Sequence, residues 1–281
     1  MTIVSEPHEA SSVTEEVPAQ PNIIREPRVY LVGRQAMDRT EIDRFLDDYG
    51  LTWETDTEVG GEQLVEASGR ICYLSFGKGR KTNREYIQNL ISMKHGSVLE
   101  HATWDFVIAG VSRSFSHELV RHRAGWGYSQ LSQRYVDESM ANFVEPAVIA
   151  ADERLHGVWL RAVEQSHKAY VELVEGLMEK IAQEPEHAGQ SKTHLRKLVR
   201  EAARSVLPNA TETLIFVSAN ARALRHFIEL RGSEGADAEI RRVALKFLRI
   251  MQAEAPTLFG DYEIARLEDG TEVARTAWEK V

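Results

Sequence analysis

Residues 102–134 read ATWDFVIAGVSRSFSHELVRHRAGWGYSQLSQR. Through Gly110, Trp104, Phe106 and Ile108 alternate with smaller or polar neighbours, the period of a strand with one buried face. From Ser112 to Arg123 the period changes, and Phe115, Leu119 and His122 fall at helical spacing. No G-x-G-x-x-G or P-loop occurs at this junction or elsewhere, so a Rossmann or Walker nucleotide site is excluded. A strand passing directly into a helix points to a mixed fold.

The flanking chain fits that reading. Arg28–Val32 and Thr211–Ser218 have strand character, and Tyr262–Ala274 suits a hairpin around Asp269-Gly270. Helices are expected over Asp38–Tyr49, where Ile42, Phe45 and Leu46 share a face before Gly50, over Glu62–Cys72, and over Asn83–Lys94 behind a Thr82 cap. Two long helices follow near 151–183 and 191–206, the second ended by Pro208, and then Asn220–Leu230 and Ala238–Glu254. No Gly-, Ser- or Pro-rich linker and no internal repeat divides residues 28–281, so they form one helix-rich α+β domain. Residues 1–27 differ: they hold four of the eight prolines and five glutamates against Arg25, without periodicity, and read as a disordered acidic tail.

Composition narrows the function classes. With 43% hydrophobic and 27% charged residues, the 281-residue chain is neither collagen-like nor wholly disordered. The net charge of −9, of which −4 lies in residues 1–27, disfavours bulk attraction to nucleic acid or acidic membranes. Cys72 is the only cysteine, which rules out an internal disulfide, and no apolar stretch approaches the ~20 residues that span a bilayer. Met1–Ala10 is too polar for a signal peptide, so a reducing, cytoplasmic setting is expected.

Chemistry concentrates around arginines. Residues 111–134 hold Arg113, Arg121, Arg123 and Arg134 against Glu118, a local +3 in an acidic protein. Arg121-His122-Arg123 is expected at a helix end running into Gly125-Trp126-Gly127, a flexible turn, with Ser129 and Ser132 beyond. Guanidinium forks, hydroxyls and exposed N–H groups suit a phosphate; a helix C-terminus whose cations answer the macrodipole explains the same residues. Lys192, Arg196, Arg200 and Arg204 make a second basic stripe of the kind usually solvated, but Arg204 falls where the helix stops and a pocket could open. Arg222 and His226 share a helical face after Asn220, and Arg231 follows. No metal site is expected, because HGSVLEH at 95–101 has neither HExxH nor HxxEH spacing, and no G-x-S-x-G elbow supports a serine hydrolase.

Taken together, Arg121-His122-Arg123 followed by Tyr128-Ser129-Gln130-Leu131-Ser132-Gln133-Arg134-Tyr135 resembles the signature of flavin-dependent thymidylate synthases. The resemblance continues through Ser75 in YLSFG, Gly96–His101, Arg204 in ARSVLPNATET, and Asn220-Ala221-Arg222 through His226 to Arg231, covering roughly residues 70–260 in the family's order. It implies a central, mostly antiparallel sheet, a homotetramer with sites at subunit interfaces, and reductive methylation of dUMP at C5 to dTMP. FAD would carry hydride, methylenetetrahydrofolate would donate carbon and NADPH would reduce. By resemblance, Ser75, Ser97, Arg121, His122, Arg123, Gln130, Asn220, Arg222 and His226 contact FAD. The nucleotide would be held by Glu118, Arg121, Gln130, Leu131, Ser132, Gln133, Arg134, Arg204 and Arg231, with Arg231 polarising the uracil ring.

A flavin supplies hydride chemistry that no side chain can, so Cys72 is expected to be a dispensable, buried helix residue rather than a nucleophile. The family's spacing places seven residues between Arg-His-Arg and the serine of the nucleotide loop, whereas Ala124–Leu131 makes eight here. Two glycines can absorb the extra residue as a bulge, leaving Tyr128–Arg134 in register, with Trp126 packing over the loop in preference to stacking on flavin or folate. The altered loop keeps a UMP C5-methylase of the same mechanism as an alternative. A non-catalytic nucleotide- or RNA-binding module would need the arginines without the redox cofactor.

Overall fold

A computed structural model describes residues 21–187 and 189–281. In chain order its elements are β1 (Asn22–Ile24), β2 (Arg28–Arg34), α1 (Arg39–Asp48), α2 (Gly60–Ile71), α3 (Asn83–Ser92), β3 (Thr103–Ser112), α4 (Arg113–Leu119), β4 (Trp126–Gln130), β5 (Asn142–Val144), α5 (Ala147–Ala150) and α6 (Glu153–Ala182). Then follow α7 (Lys192–Ala203), β6 (Glu212–Asn220), α8 (Ala221–Arg231), α9 (Ala238–Glu254), α10 (Pro256–Phe259), β7 (Tyr262–Arg266) and β8 (Glu272–Thr276).

Local capping starts most of the helices that matter. Asp38, Thr82, Ser112, Asp152, Ser191, Asn220 and Asp237 each accept a backbone N–H from the first turn of α1, α3, α4, α6, α7, α8 and α9 respectively. Ser112 therefore ends β3 and caps α4 at once, so the chain leaves the sheet with no intervening loop.

The sheet runs in the order β2-β3-β6-β4 with every neighbouring pair antiparallel. One face is sealed. Trp104, Phe106, Ile108, Ile215, Val217 and Ala219 are buried with Leu224 and Phe227 of α8 and Val243, Phe247 and Leu248 of α9 in a single core. Phe106 meets Phe247 edge-on at 4.7 Å, the geometry aromatic quadrupoles favour. The opposite face is open and carries exposed apolar side chains: Tyr30 is 47% exposed, Val32 51%, Leu214 42% and Phe216 42%.

Arg225 fixes how α8 lies. Its guanidinium is buried, forks onto both carboxylate oxygens of Asp261 at 2.6 and 2.8 Å, and also donates to the Leu258 carbonyl. A buried ion pair contributes little net stability but is costly to break, so it serves as a locating pin. It leaves Arg222 and His226, which share one face of α8, exposed.

Several expectations need correction. The tail does not extend to residue 27, because Asn22–Ile24 pairs in parallel with Asn142–Val144, and Arg25 bonds the buried Glu145 at 2.8 Å. Composition was a poor guide there, since a short strand is stabilised by a partner remote in sequence. Residues 1–20 of that tail lie outside the described residues. The helix expected to Arg123 stops at Leu119: the Tyr128 hydroxyl is placed to donate to the carbonyls of Leu119 and His122, satisfying acceptors that a helix end leaves open. Arg121-His122-Arg123 consequently lies in a turn beyond the helix. Gly125-Trp126-Gly127 is no flexible turn either. Trp126 opens β4, which pairs with β6 from Trp126↔Ala219 to Gln130↔Ile215 without interruption. Cys72 is exposed at the end of α2 rather than buried within it. Among the described residues, no helix is long and apolar enough to cross a membrane.

Candidate functional site

The last turn of α4, the turn that follows it and the end of α8 meet at Arg231. Its Nη1 lies 2.7 Å from Glu118 Oε2 of α4, and its Nε donates to His122 Nε2 at 3.0 Å. The imidazole can accept that bond only when Nε2 is unprotonated. Burial, reinforced by Arg231 and His226, pushes the His122 pKa down to about 4, so the ring is neutral around pH 7. Glu118 and neutral His122 thus orient one guanidinium without competing positive charge.

Aromatic packing supports this turn. His122 lies 5.1 Å from the Phe227 ring and 6.1 Å from His226. Trp126 stacks on Tyr128 with an interplanar angle of 2° and meets Phe227 and Phe247 edge-on, which is the packing role expected of it. Burial raises the Tyr128 phenol pKa strongly, so it remains a donor to the turn's carbonyls. Just before β4 begins, Gly125 sits at φ +73, and a Cβ there would approach the Asn220 amide to 2.6 Å, so only glycine fits.

A second group forms on the other side of α4. Arg113, Gln133 and Arg204 line a cavity of about 370 Å³ with His117, Leu207 and Pro208. Burial, and the like charge of Arg204, hold the Arg113 pKa below its usual value; Glu138 acts in the opposite sense. Glu201 lines the cavity as well but is paired with Arg134, so the two guanidiniums remain available to an anion. Leu131 offers its carbonyl to Arg113 at 3.3 Å, and the Ser132 Oγ accepts the Arg134 N–H at 3.4 Å. Arg134 pairs with Glu201 at 2.7 Å and Arg200 with Asp137 at 2.6 Å, tying this loop to α7. Beneath the loop Glu138 is buried, with Oε1 lacking a partner among the described residues; burial pushes its pKa up to about 7 against the opposing pull of Arg113 and Gln133. Gln130 bridges to this group, its amide donating to Ser116 and Thr213.

A third group borders a cavity of about 350 Å³ lined by Ser97, Arg222, Gly96, His95, Tyr73 and Cys72. Arg222 is held by Glu100 at 2.6 Å, and Asn220 caps the helix that presents Arg222 and His226. Ser75 is half-buried in the loop that supplies Cys72 and Tyr73 to this wall. Arg121 and Arg123 are exposed, and among the described residues neither meets a carboxylate. Hydroxyl and guanidinium donors are what a dinucleotide's diphosphate needs, so this donor set suits FAD, with Arg222 shared between that role and Glu100.

The expected site residues therefore fall into three groups, and no residue lines both the Arg204 and the Ser97 cavities. Arg113, which lines the Arg204 cavity, stands outside the expected nucleotide contacts; the arginine density of residues 111–134 is its only sequence signal. A larger cavity of about 480 Å³ lies beside Glu118, but Glu145, Asp237 and Glu239 face it too, which suits an anion poorly. Glu184, Glu186 and His187 bring ligand atoms within 4.8 Å of one another after α6, an exposed acidic group of a kind common without a metal.

Residues 55–257 match the family described as thymidylate synthase complementing protein, Thy1. A flavin-dependent thymidylate synthase of Mycobacterium sp. (strain KMS) is 49% identical over 245 residues, covering 86% of this chain and 94% of the relative. Enzymes of the same name from Mycobacteroides abscessus and Mycolicibacterium gilvum are 48% identical over 233 residues (82% and 90% covered) and 51% identical over 225 (79% and 87%). On this family match, and with relatives aligned over nearly their whole length, the chain belongs to the Thy1 family of flavin-dependent thymidylate synthases and is an enzyme of that family.

Proposed function

We propose that this enzyme converts dUMP to dTMP, with FAD as hydride carrier, methylenetetrahydrofolate as carbon donor and NADPH as reductant, in a cytoplasmic setting. The observation that carries the reading is the Arg231 fork held by Glu118 and neutral His122. In the overall exchange the uracil C5 proton leaves, a methylene unit arrives from the folate, and a hydride originating in NADPH reduces it to methyl, so the folate departs as tetrahydrofolate. Bound flavin would supply the hydride-transfer chemistry.

The chain's own residues bind, orient and polarise. Arg231 donates to a uracil carbonyl, stabilising negative charge that develops on the ring. Arg113, Gln133, Arg204 and the Ser132–Arg134 loop hold the phosphate dianion, with Gln130 and Leu131 completing the nucleotide wall. Arg121, His122, Arg123, Ser75, Ser97, Asn220, Arg222 and His226 hold FAD. Cys72 stays outside the chemistry: its exposed thiol donates to the Ser68 carbonyl of its own helix turn.

The three separated groups support a homotetramer in which different subunits complete each site. The exposed apolar sheet face of Tyr30, Val32, Leu214 and Phe216 offers a surface for a second copy. Uninterrupted pairing of β4, the strand that leads into the Ser132–Arg134 loop, supports dUMP over UMP as the substrate. The test is product analysis with labelled methylenetetrahydrofolate: label in dTMP, with NADPH consumed only when FAD is present, supports the reading. Faster methylation of UMP at equal concentration defeats it, and light scattering that gives a monomer mass defeats the tetramer.

A further inference from the structure

Between α2 and α3, residues 72–82 run without helix or strand and carry Ser75. The backbone there is contorted: Leu74 sits at φ 45, Gly77 at 65 and Gly79 at 77. A leucine in the left-handed region persists only where its surroundings hold it. Phe76 secures the loop's inner side, packed edge-on with Trp53 at 5.7 Å and Phe45 at 6.0 Å. The outer side has a different anchor.

That anchor is Arg70, near the end of α2 and almost wholly buried. A guanidinium has five N–H donors. Nη1 donates to the carbonyls of Ser75 and Lys78, both at 3.0 Å, and Nη2 to that of Arg80 at 2.9 Å. The remaining donors face Glu66 Oε1, at 2.8 Å from Nε and 2.7 Å from Nη2. Glu66 is itself fixed by Trp53, Thr55 and Asn83, and the Tyr86 ring covers the guanidinium at 4.5 Å. Four hydrogen bonds and the Nη2–Glu66 ion-pair contact engage the guanidinium, and three of these fall on one loop. An arginine needed only to neutralise Glu66 would not require that fork, and a lysine could not reproduce it.

We propose that Arg70 is a positioning residue for FAD, fixing the loop that presents Ser75 and walls the Ser97–Arg222 cavity with Cys72 and Tyr73. This rests on the reading that Ser75 and that cavity serve FAD. Arg70→Lys keeps the charge opposite Glu66 but loses the three-carbonyl grip, while Phe76 still holds the inner side.

Limited trypsinolysis reads the loop directly, since Lys78, Arg80 and Lys81 are exposed there. For FAD-free Arg70→Lys, fragments ending at these residues should appear about tenfold faster than for the natural chain, and FAD dissociation constants from flavin fluorescence should rise about tenfold, the effect of roughly one hydrogen bond. The nucleotide KM at saturating FAD should stay within about twofold, as uniform loss of the fold would not allow. Unchanged loop cleavage, or faster cleavage with unchanged FAD affinity, overturns the proposal. Ser75→Ala separates the two levels: weaker FAD binding there with a neutral Arg70→Lys sinks the positioning role alone, whereas no effect in Ser75→Ala sinks the underlying FAD reading. Should Arg70→Lys fail to fold, the natural protein decides, because FAD must slow cleavage at residues 78–81, and absence of protection overturns the proposal.

Discussion

Glu118 and Arg231, 113 residues apart in sequence, meet at 2.7 Å between the last turn of α4 and the last residue of α8. Both side chains are partly exposed, so the pair's worth lies in aiming the guanidinium rather than in stability. Glu118→Gln should keep the fold and lower kcat with dUMP by about 10- to 100-fold, the range seen when an electrostatic stabiliser is misaimed. Stopped-flow flavin oxidation with unchanged melting temperature would confirm it; unaltered kcat would count against the polarising role.

His122 has a folded-state pKa lowered to about 4, below the ordinary histidine value of 6.5. Between those limits the unfolded chain binds the extra proton and the native one does not, so stability falls as pH drops from about 6.5 towards 4. Above 6.5 the residue contributes no slope. Thermal unfolding of the natural protein and of His122→Asn should therefore diverge in that acid window, with the variant's melting temperature falling less. Parallel curves would contradict a buried neutral imidazole.

Glu138 behaves with the opposite sign. Its folded pKa is raised to about 7 from an ordinary 4.5, so the native state holds a proton that the unfolded chain has released, and stability is lost as pH rises through this interval. Glu138→Gln should therefore gain melting temperature over the natural protein at pH 8 and show little gain at pH 4.5. An equal difference at both pH values would refute it.

Arg113 and Arg204 share one cavity. Arg113→Ala should raise the KM for dUMP by about 10- to 100-fold, the loss of one charged hydrogen-bond partner, while leaving FAD affinity within about twofold. Inorganic phosphate should inhibit the natural enzyme competitively and the variant weakly. A variant whose KM is unchanged would place the phosphate elsewhere.

Cys72 is exposed and should be alkylated by iodoacetamide in the FAD-free protein. Cys72→Ala should retain kcat with dUMP; a folded but inactive variant would demand a thiol in the mechanism.

The sequence by itself determined whatever depends on neighbours a few residues away. Thr82 and Asn220 cap their helices, the 3.6-residue period places α9 at Ala238–Glu254 as read, and the arginine-bearing motifs stand in an order that marks the family. Only the tertiary structure decided what depends on partners far along the chain. Asn22–Ile24 is a strand because Asn142–Val144 lies beside it, and α4 is short because Tyr128 takes up its terminal carbonyls. Arg113 joins Arg204 across ninety residues, and Arg225, pinned by Asp261, fixes how α8 lies with Arg222 and His226 exposed. Capping and periodicity are short-range properties of the backbone, legible in one dimension. The facing of two guanidiniums, or the fork that Arg70 lays on three carbonyls, exists only once packing has closed the distance.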